Sequence, residues 1–208
     1  MFHYLINFLK NLLEKQDIRK YKNNFIYYIL FRLLRNRLTN DLKVKIYDFY
    51  IYASHKKNKQ SHSILRKCDF EDLKELKFLK KISLTNKILF FDCGANFGFY
   101  SLFVASIQKN NKVFSFEASS TTFKDLKKNI NLNNLQNIQP INLAISETKD
   151  LEIFFKESKN DWESSMKSNN FDVLKTTKIK TITLDSFLEN KDIIFPEYNI
   201  IIKLDIEG

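Results

Sequence analysis

The chain has 208 residues, 44% of them apolar and 14% aromatic, which suits one substantial core plus an appendage and excludes a disordered segment. Two cysteines, Cys68 and Cys93, are too few for a disulfide framework and point to a reducing, cytoplasmic setting. No window reaches the roughly 18 uninterrupted apolar residues of a membrane-spanning helix, and the N-terminus has no small-residue cleavage site, so no secretory signal is expected.

The net charge of +10 is unevenly placed: residues 1–80 carry 18 Lys/Arg against 8 Asp/Glu, and residues 81–208 carry 16 against 16. Whatever the basic charge attracts, the second half need not be the part that binds it.

Residues 2–15, FHYLINFLKNLLEK, set Phe2, Leu5, Ile6, Leu9, Leu12 and Leu13 on one helical face. A polar stretch separates them from FIYYILFRLLRNRL (25–38), which is apolar nearly all round up to Arg32 and is expected to be buried or to lie against an apolar surface. LKVKIYDFYIYAS (42–54) alternates and reads as a strand or hairpin, and HKKNKQSHS (55–63) as a loop. FEDLKELKFLKKI (70–82) is an amphipathic helix with Glu71 and Asp72 early and Lys80 and Lys81 late, as the helix dipole favours. Residues 1–80 thus form a basic N-terminal region.

From residue 87 the pattern changes. KILFFDC is a short apolar run of the kind that makes a strand buried on both faces. A helix, FGFYSLFVASIQ, and a second strand, KVFSFE (112–117), follow. STTFKDLKKNINLNN (120–134) is helical, IQPINLAIS holds a third strand, and NIIIKLDIEG ends the chain with another buried strand. LEIFFKE and KIKTITL make an antiparallel excursion before a short helix, LDSFL. Strands alternating with helices predict an α/β fold with a parallel sheet over residues 81–208. A doubly wound sheet continues beyond its switch point, so one expectation is a fragment of a longer domain, inactive as it stands. A small sheet closed by the N-terminal hairpin is the alternative.

Two of the chain's three glycines, Gly94 and Gly98, lie in FFDCGANFGFY (90–100). A strand ending in Asp92, then Gly94, then Gly98 opening a helix reads as a ligand-binding turn whose exposed N–H groups face the ligand. A plain strand-to-helix connection would need only one glycine. Cys93, inside this motif, is expected as a small buried hydrophobe rather than a nucleophile. Glu117 ends the next strand, where a carboxylate can take both hydroxyls of a ribose. A dinucleotide site wants G-x-G-x-x-G and no acid facing the pyrophosphate. Here Asp92 precedes G-x-x-x-G, which would repel phosphates and suits a ligand with an ammonium group. S-adenosylmethionine, with an amine, a sulfonium, a ribose and no phosphate, fits.

FFDCGANFGFYSL resembles the D-x-G-A-N-x-G-x-Y-S opening of the FkbM-type methyltransferases, and FSFEASSTTFKDLKKNINLNN is similar to their F-E-P-x-P-x-x-F-x-x-L-x-x-N-x-x-L-N segment. INLAIS, TITLDSFL and IIKLDIEG resemble the three later motifs of that family, in order and spacing. The family's prolines after the acid are Ala118 and Ser120 here. The resemblance, over roughly residues 85–208, implies a Rossmann-like class I methyltransferase sheet and S-adenosylmethionine as cofactor. It implies that Asp92, Gly94, Asn96 and Gly98 line the methionine end, that Glu117 holds the ribose with Ala118 beside the adenine, and that Asn142, Leu143 and Ala144 sit at the adenine edge. Ser165 and Thr183–Asp185 match family positions of a structural kind. Asn96 has an equal claim as a helix cap.

Methyl transfer to a hydroxyl is an in-line displacement that a general base assists. All three histidines precede the motifs, so Asp205 and Glu207, at the carboxyl edge where open α/β sheets bind ligands, are the candidate catalytic residues, with Lys203 in support. They could instead cap the next loop. No Asn/Asp-Pro-Pro-aromatic turn of the nitrogen methyltransferases is present, no cluster has metal-ligand spacing, and no nucleophilic triad is supported. The expected acceptor is a sugar or other small hydroxylated metabolite. Nucleic acid is a weaker alternative, because the basic residues follow no recognised nucleic-acid motif. Residues 1–40, with 8 basic and 2 acidic residues, could dock peripherally on the inner membrane face or pack on the core or a partner subunit.

Overall fold

The alternation of residues 42–53 folds into an antiparallel hairpin, β1 (Leu42–Ile46) and β2 (Phe49–Ala53), paired from Ile46↔Phe49 to Leu42↔Ala53. Its inward side chains, among them Val44, Ile46, Phe49 and Ile51, are fully buried. Helix α1 (Phe2–Lys15) packs along β1 and along α2 (Phe25–Leu34), and α3 (Lys59–Lys67) packs on β2 and α2. Asn24 caps α2 by accepting the Tyr27 amide, and the Tyr27 hydroxyl donates to the Leu65 carbonyl at 2.6 Å. The computed structural model describes residues 2–38, 40–54, 59–158, 173–189, 191 and 195–206. These elements belong to the first of two units, Met1–Glu75, and the rest to Leu76–Gly208. Helix α4 (Leu73–Thr85) spans the division.

Two expectations fail in the first unit. Residues 59–67 are helical, not a loop: Ile64 and Leu65 are buried, and Ser61 donates to the Ser54 carbonyl while Ser63 donates to Glu71. Small polar residues that fill helix-facing space look like loop composition in a sequence. Helix α2 is apolar nearly all round but buries only one side, Tyr27, Phe31 and Leu34.

The second unit is built on a parallel sheet of order β5-β4-β3-β9, with β3 (Ile88–Cys93), β4 (Lys112–Phe116), β5 (Ile138–Ile141) and β9 (Asn199–Leu204). Helix α5 (Phe99–Ile107) connects β3 to β4, and α6 (Ser120–Leu132) connects β4 to β5. The chain starts in the middle of the sheet at β3, runs to one edge through β4 and β5, and returns to the other side of β3 as β9. The α/β class with a parallel sheet is therefore as expected, and the reversal of direction between β3 and β9 is a topological switch point. All of β3 is buried. One face of the sheet carries Leu89, Phe91, Cys93, Phe114 and Phe116 under α7 (Leu184–Glu189), whose Phe187 ring meets Phe114 and Phe116 edge-on at 5.0 Å.

The stretch 138–146 is not one strand. Residues 138–141 complete the parallel sheet, whereas β6 (Ala144–Ile145) pairs with β8 (Val173–Ile182), which pairs antiparallel with β7 (Glu152–Ser158). Pro140 sits on the edge strand, where a missing amide costs little. Strand β9 was expected to be buried, but Ile200, Ile202 and Leu204 are exposed. It is an edge strand, and among the described residues no further strand pairs with its outer side. No helix among the described residues is long and apolar enough to cross a membrane.

Asn111 ties this unit together from a fully buried position. Its Oδ1 accepts the Ile88 amide at the start of β3, and its Nδ2 donates to Ser83 Oγ of α4 and to the Val104 carbonyl of α5. Asn111→Ala strands a buried amide and a buried carbonyl, each worth about 1–3 kcal/mol. Urea unfolding should show a loss of about 2–4 kcal/mol; a loss within error of zero would mean that water replaces the side chain.

Candidate cofactor and active site

Register brings the site together before any side chain is considered. Asp92 of β3 stands opposite Ser115 of β4 on one side and Lys203 of β9 on the other, so all three project from the same face. Asp92 is fully buried. Its Oδ2 accepts the Ser101 hydroxyl of α5 at 2.6 Å, and Ser101 and Ser115 are hydrogen-bonded at 2.7 Å. The Lys203 ammonium lies 3.1 Å from Oδ1, an ion pair outside hydrogen-bond geometry, and that oxygen accepts no hydrogen bond among the described residues. Lys203 also donates to the Gly94 carbonyl at 3.1 Å, lies 3.4 Å from Asp205 Oδ2, and sits 5.2 Å above the Tyr100 ring. Burial pulls its pKa down, but Asp92 and Asp205 more than offset this, so the ammonium is held above its ordinary value.

Both glycines hold left-handed backbone, φ +79° at Gly94 and +92° at Gly98. A Cβ on Gly94 would stand 2.0 Å from the Asp205 carbonyl oxygen, and one on Gly98 would stand 2.5 Å from Leu126 Cδ1 of α6. The first glycine thus lets the end of β9 approach the turn, and the second lets α6 approach the start of α5. The turn's amides are not open, contrary to expectation. Gly94 and Ala95 donate to the Phe116 carbonyl, Asn96 to Glu117 Oε2, Phe97 to Asn96 Oδ1 and Gly98 to the Ala95 carbonyl. Asn96 is not the helix cap either: Gly98 holds the cap position, and Asn96 adopts φ +51° in the turn before it.

Glu117 follows the last residue of β4 and is buried. Oε2 accepts the Asn96 amide at 2.8 Å and Oε1 the Ser119 amide at 2.9 Å, so each oxygen has used one of the two donors it can accept. Burial pushes the carboxyl up to about 7, against these two amides, which favour the charged form. Asn142 donates to the carbonyls of Glu117 and Ala118, joining the ends of β4 and β5. Ala144 is buried beside Ile179, with Ala118 packed against the pair. The structure therefore draws Asp92, Gly94, Asn96, Gly98, Glu117, Ala118 and Asn142 to the carboxyl edge, while Ala144 backs it from the small sheet.

Asp205 lies just beyond β9 with its side chain 61% exposed, the open acid of the group. Glu207 and Ser165 lie outside the described residues. Thr183 accepts the Ser186 amide at the start of α7, a local structural task. Cys93 is fully buried and its thiol is pushed up to about 12 by burial, so it packs rather than attacks.

The sequence model of the Methyltransferase FkbM domain matches residues 92–208. The chain belongs to the FkbM methyltransferase family. S-adenosylmethionine is the cofactor that goes with this FkbM domain, and the site fits it: a buried carboxylate oxygen lacks a hydrogen bond, a glycine admits close backbone approach, and a second carboxylate has acceptor capacity left. No curated protein matches the chain. Among solved structures, M. jannaschii TYW2 in complex with AdoMet is 23% identical with a TM-score of 0.39, over 49% of this chain and 42% of that one. A SAM-dependent methyltransferase from Agrobacterium tumefaciens is 16% identical with a TM-score of 0.41, over 51% and 33%. The M. jannaschii tRNA m1G37 methyltransferase is 22% identical with a TM-score of 0.37, over 54% and 36%. The chain spans less than half the length of each.

Sequence reasoning missed Ser101 and Ser115. Each is a lone polar residue in an otherwise apolar, buried stretch, FYSLFVA and VFSF, and that mismatch was the available signal. In the FkbM domain they bind Asp92, so Lys203→Met should leave a buried carboxylate without its cation and cost about 3–5 kcal/mol in urea unfolding. Adding Asp92→Asn should restore most of that loss; strictly additive costs would mean that the two charges are independent. A second outcome concerns pH. Folded Glu117 keeps its proton until about pH 7, whereas the unfolded chain releases it near 4.5. The folded state then binds more protons in that window, so this group's contribution to stability is complete below about 4.5 and is lost as pH rises through about 7. Stability curves should slope downward there, and Glu117→Gln should flatten them; an unchanged slope in the variant would assign it to another group.

Proposed function

We propose that this chain carries the S-adenosylmethionine site of an oxygen methyltransferase whose acceptor is a sugar or other small hydroxylated metabolite. The observation that carries the reading is the closed turn of residues 94–98. Its amides are taken within the protein, and acids flank it on both sides. A phosphate-bearing dinucleotide would find no free N–H groups and two carboxylates there, whereas a ligand with a cationic methionine end and a ribose meets groups of the right sign.

In this reading Asp92 and the turn of Gly94, Asn96 and Gly98 face the methionine end. Glu117 takes the ribose hydroxyls with its remaining acceptor capacity. Ala118 and Asn142 border the adenine, and Ala144 supports them from beneath. The bound cofactor supplies an activated methyl group on its sulfonium. Asp205 accepts the proton that the acceptor hydroxyl gives up as its oxygen takes the methyl, and Lys203 holds Asp205 beside the switch point. Glu207 is a second candidate for proton transfer.

A second reading, methylation of nucleic acid, is favoured by one feature. A cleft of about 530 Å3 at the amino end of the sheet is lined by Lys87, Lys109, Lys112 and Lys191 and by no acid. It lies at the opposite end of the strands from Asp92 and Glu117.

Calorimetry with S-adenosylhomocysteine tests the cofactor site. Micromolar binding should weaken roughly tenfold or more in Glu117→Gln and persist in Asp205→Asn. Because hydroxyl donors favour ionised Glu117, binding near pH 7 should release a proton, visible as a buffer-dependent heat that Glu117→Gln removes. Labelled methyl transfer should reach a pool of small sugars and fall roughly 100-fold or more in Asp205→Asn. Transfer to RNA alone would favour the second reading, and binding of NAD in preference to S-adenosylhomocysteine would overturn both.

A further inference from the structure

The first unit has a surface that the cofactor site does not use. Helix α2 turns Tyr27, Phe31 and Leu34 inward, and its opposite side is apolar as well. Phe25 is 72% exposed, Ile26 70% and Leu33 55%, with Ile29 between them. At helical spacing, Phe25, Ile29 and Leu33 form one stripe with Ile26 beside it. Burying such a stripe in its own core would have been the ordinary outcome for an amphipathic helix; here the core already occupies the other side.

The charge around the stripe is of one sign. No acidic residue lies between Ile18 and Asn40, whereas Arg32, Arg35 and Arg37 cluster at the stripe's C-terminal end. Arg37 is held in place by donating to the Leu33 carbonyl at 3.2 Å and by lying 3.9 Å over the Phe2 ring. The two acids that precede this segment are already paired, Asp17 with Arg19 and Glu14 with Lys43.

We propose that the outer side of α2 docks on an anionic lipid surface, with Phe25, Ile26, Ile29 and Leu33 entering the headgroup boundary and Arg32, Arg35 and Arg37 meeting lipid phosphates. Charge complementarity selects this occupant. A second copy packed on the same face would bring like-charged arginines together, and nucleic-acid bases would gain little from the aliphatic Ile26, Ile29 and Leu33. The inference does not rest on the methyltransferase reading, because membrane binding needs no cofactor.

The test is co-sedimentation of the full chain with phosphatidylcholine vesicles, with and without phosphatidylglycerol, at low salt. The chain should pellet with the anionic vesicles, stay in solution with the neutral ones, and be released by salt. Ile26→Asp should abolish pelleting, and Arg32→Glu should weaken it roughly tenfold or more. Both residues are solvent-exposed, so circular dichroism and thermal unfolding should be unchanged. Failure to pellet with anionic vesicles, equal pelleting with neutral ones, or wild-type binding by Ile26→Asp would each overturn the proposal. Concentration-dependent dimerisation that Ile26→Asp removes, without vesicle binding, would assign the face to a second copy instead.

Discussion

A carboxylate with no solvent exposure, Asp92, sits at the middle of the parallel sheet, and the rest of the second unit is arranged to make it tolerable. An isolated buried charge is too costly to keep ionised, so it must be paired and hydrogen-bonded. Here the partners come from three directions: Ser101 from α5, Ser115 through it from β4, and the Lys203 ammonium from β9. Slipping β9 by one residue against β3 would turn Lys203 to the other face and put a leucine or an isoleucine opposite Asp92. Electrostatics thus specifies the register at the switch point, where the pattern of β9 alone, apolar at nearly every position, specifies it poorly.

The same arrangement shapes the turn. Lys203 reaches the Gly94 carbonyl, and the Asp205 carbonyl presses on the place where a Cβ of residue 94 would be. Gly94 is therefore fixed by its neighbour strand as much as by any ligand. Glu117 closes the turn from the other side by accepting the Asn96 amide. Its burial holds a carboxyl near neutrality in pKa, and that is a cost the fold carries at the position where a ribose-binding acid is expected.

Most of the alternating strands and helices were legible because their periodicities are unmixed. KILFFDC is apolar throughout and is buried throughout, and residues 42–53 alternate and form a hairpin. The glycine turn was legible because left-handed backbone leaves few residue types to choose from. Where reading failed, tertiary context decided. Residues 59–67 lack an apolar stripe yet form a helix that buries serines against the hairpin. The run IQPINLAIS looks like one strand, but Asn142 spends its amide on the ends of β4 and Ala118, and the chain leaves for another sheet. Candidate site residues were found where a charge or a glycine interrupted an apolar run. Their internal partners, the amides that fill the turn and the serines behind Asp92, leave no such trace, because a backbone amide has no letter and a serine is unremarkable.

The charge count of residues 81–208 conceals one more feature. Sixteen bases and sixteen acids cancel in sum, but not in place. Asp92, Glu117 and Asp205 gather at the carboxyl edge of the sheet around a single cation, Lys203. Lys87, Lys109, Lys112 and Lys191 gather at the amino edge. A neutral domain with its charges separated along the strands still presents a field, and that field attracts cationic ligands to one end and anionic ones to the other. S-adenosylmethionine carries a sulfonium and an ammonium against one carboxylate, so the acidic edge favours it, whereas its demethylated product, lacking the sulfonium, is favoured less. Charge placement of this kind helps a methyl donor enter and its product leave, and it supports reading the carboxyl edge, rather than the lysine-lined cleft, as the cofactor's end of the sheet.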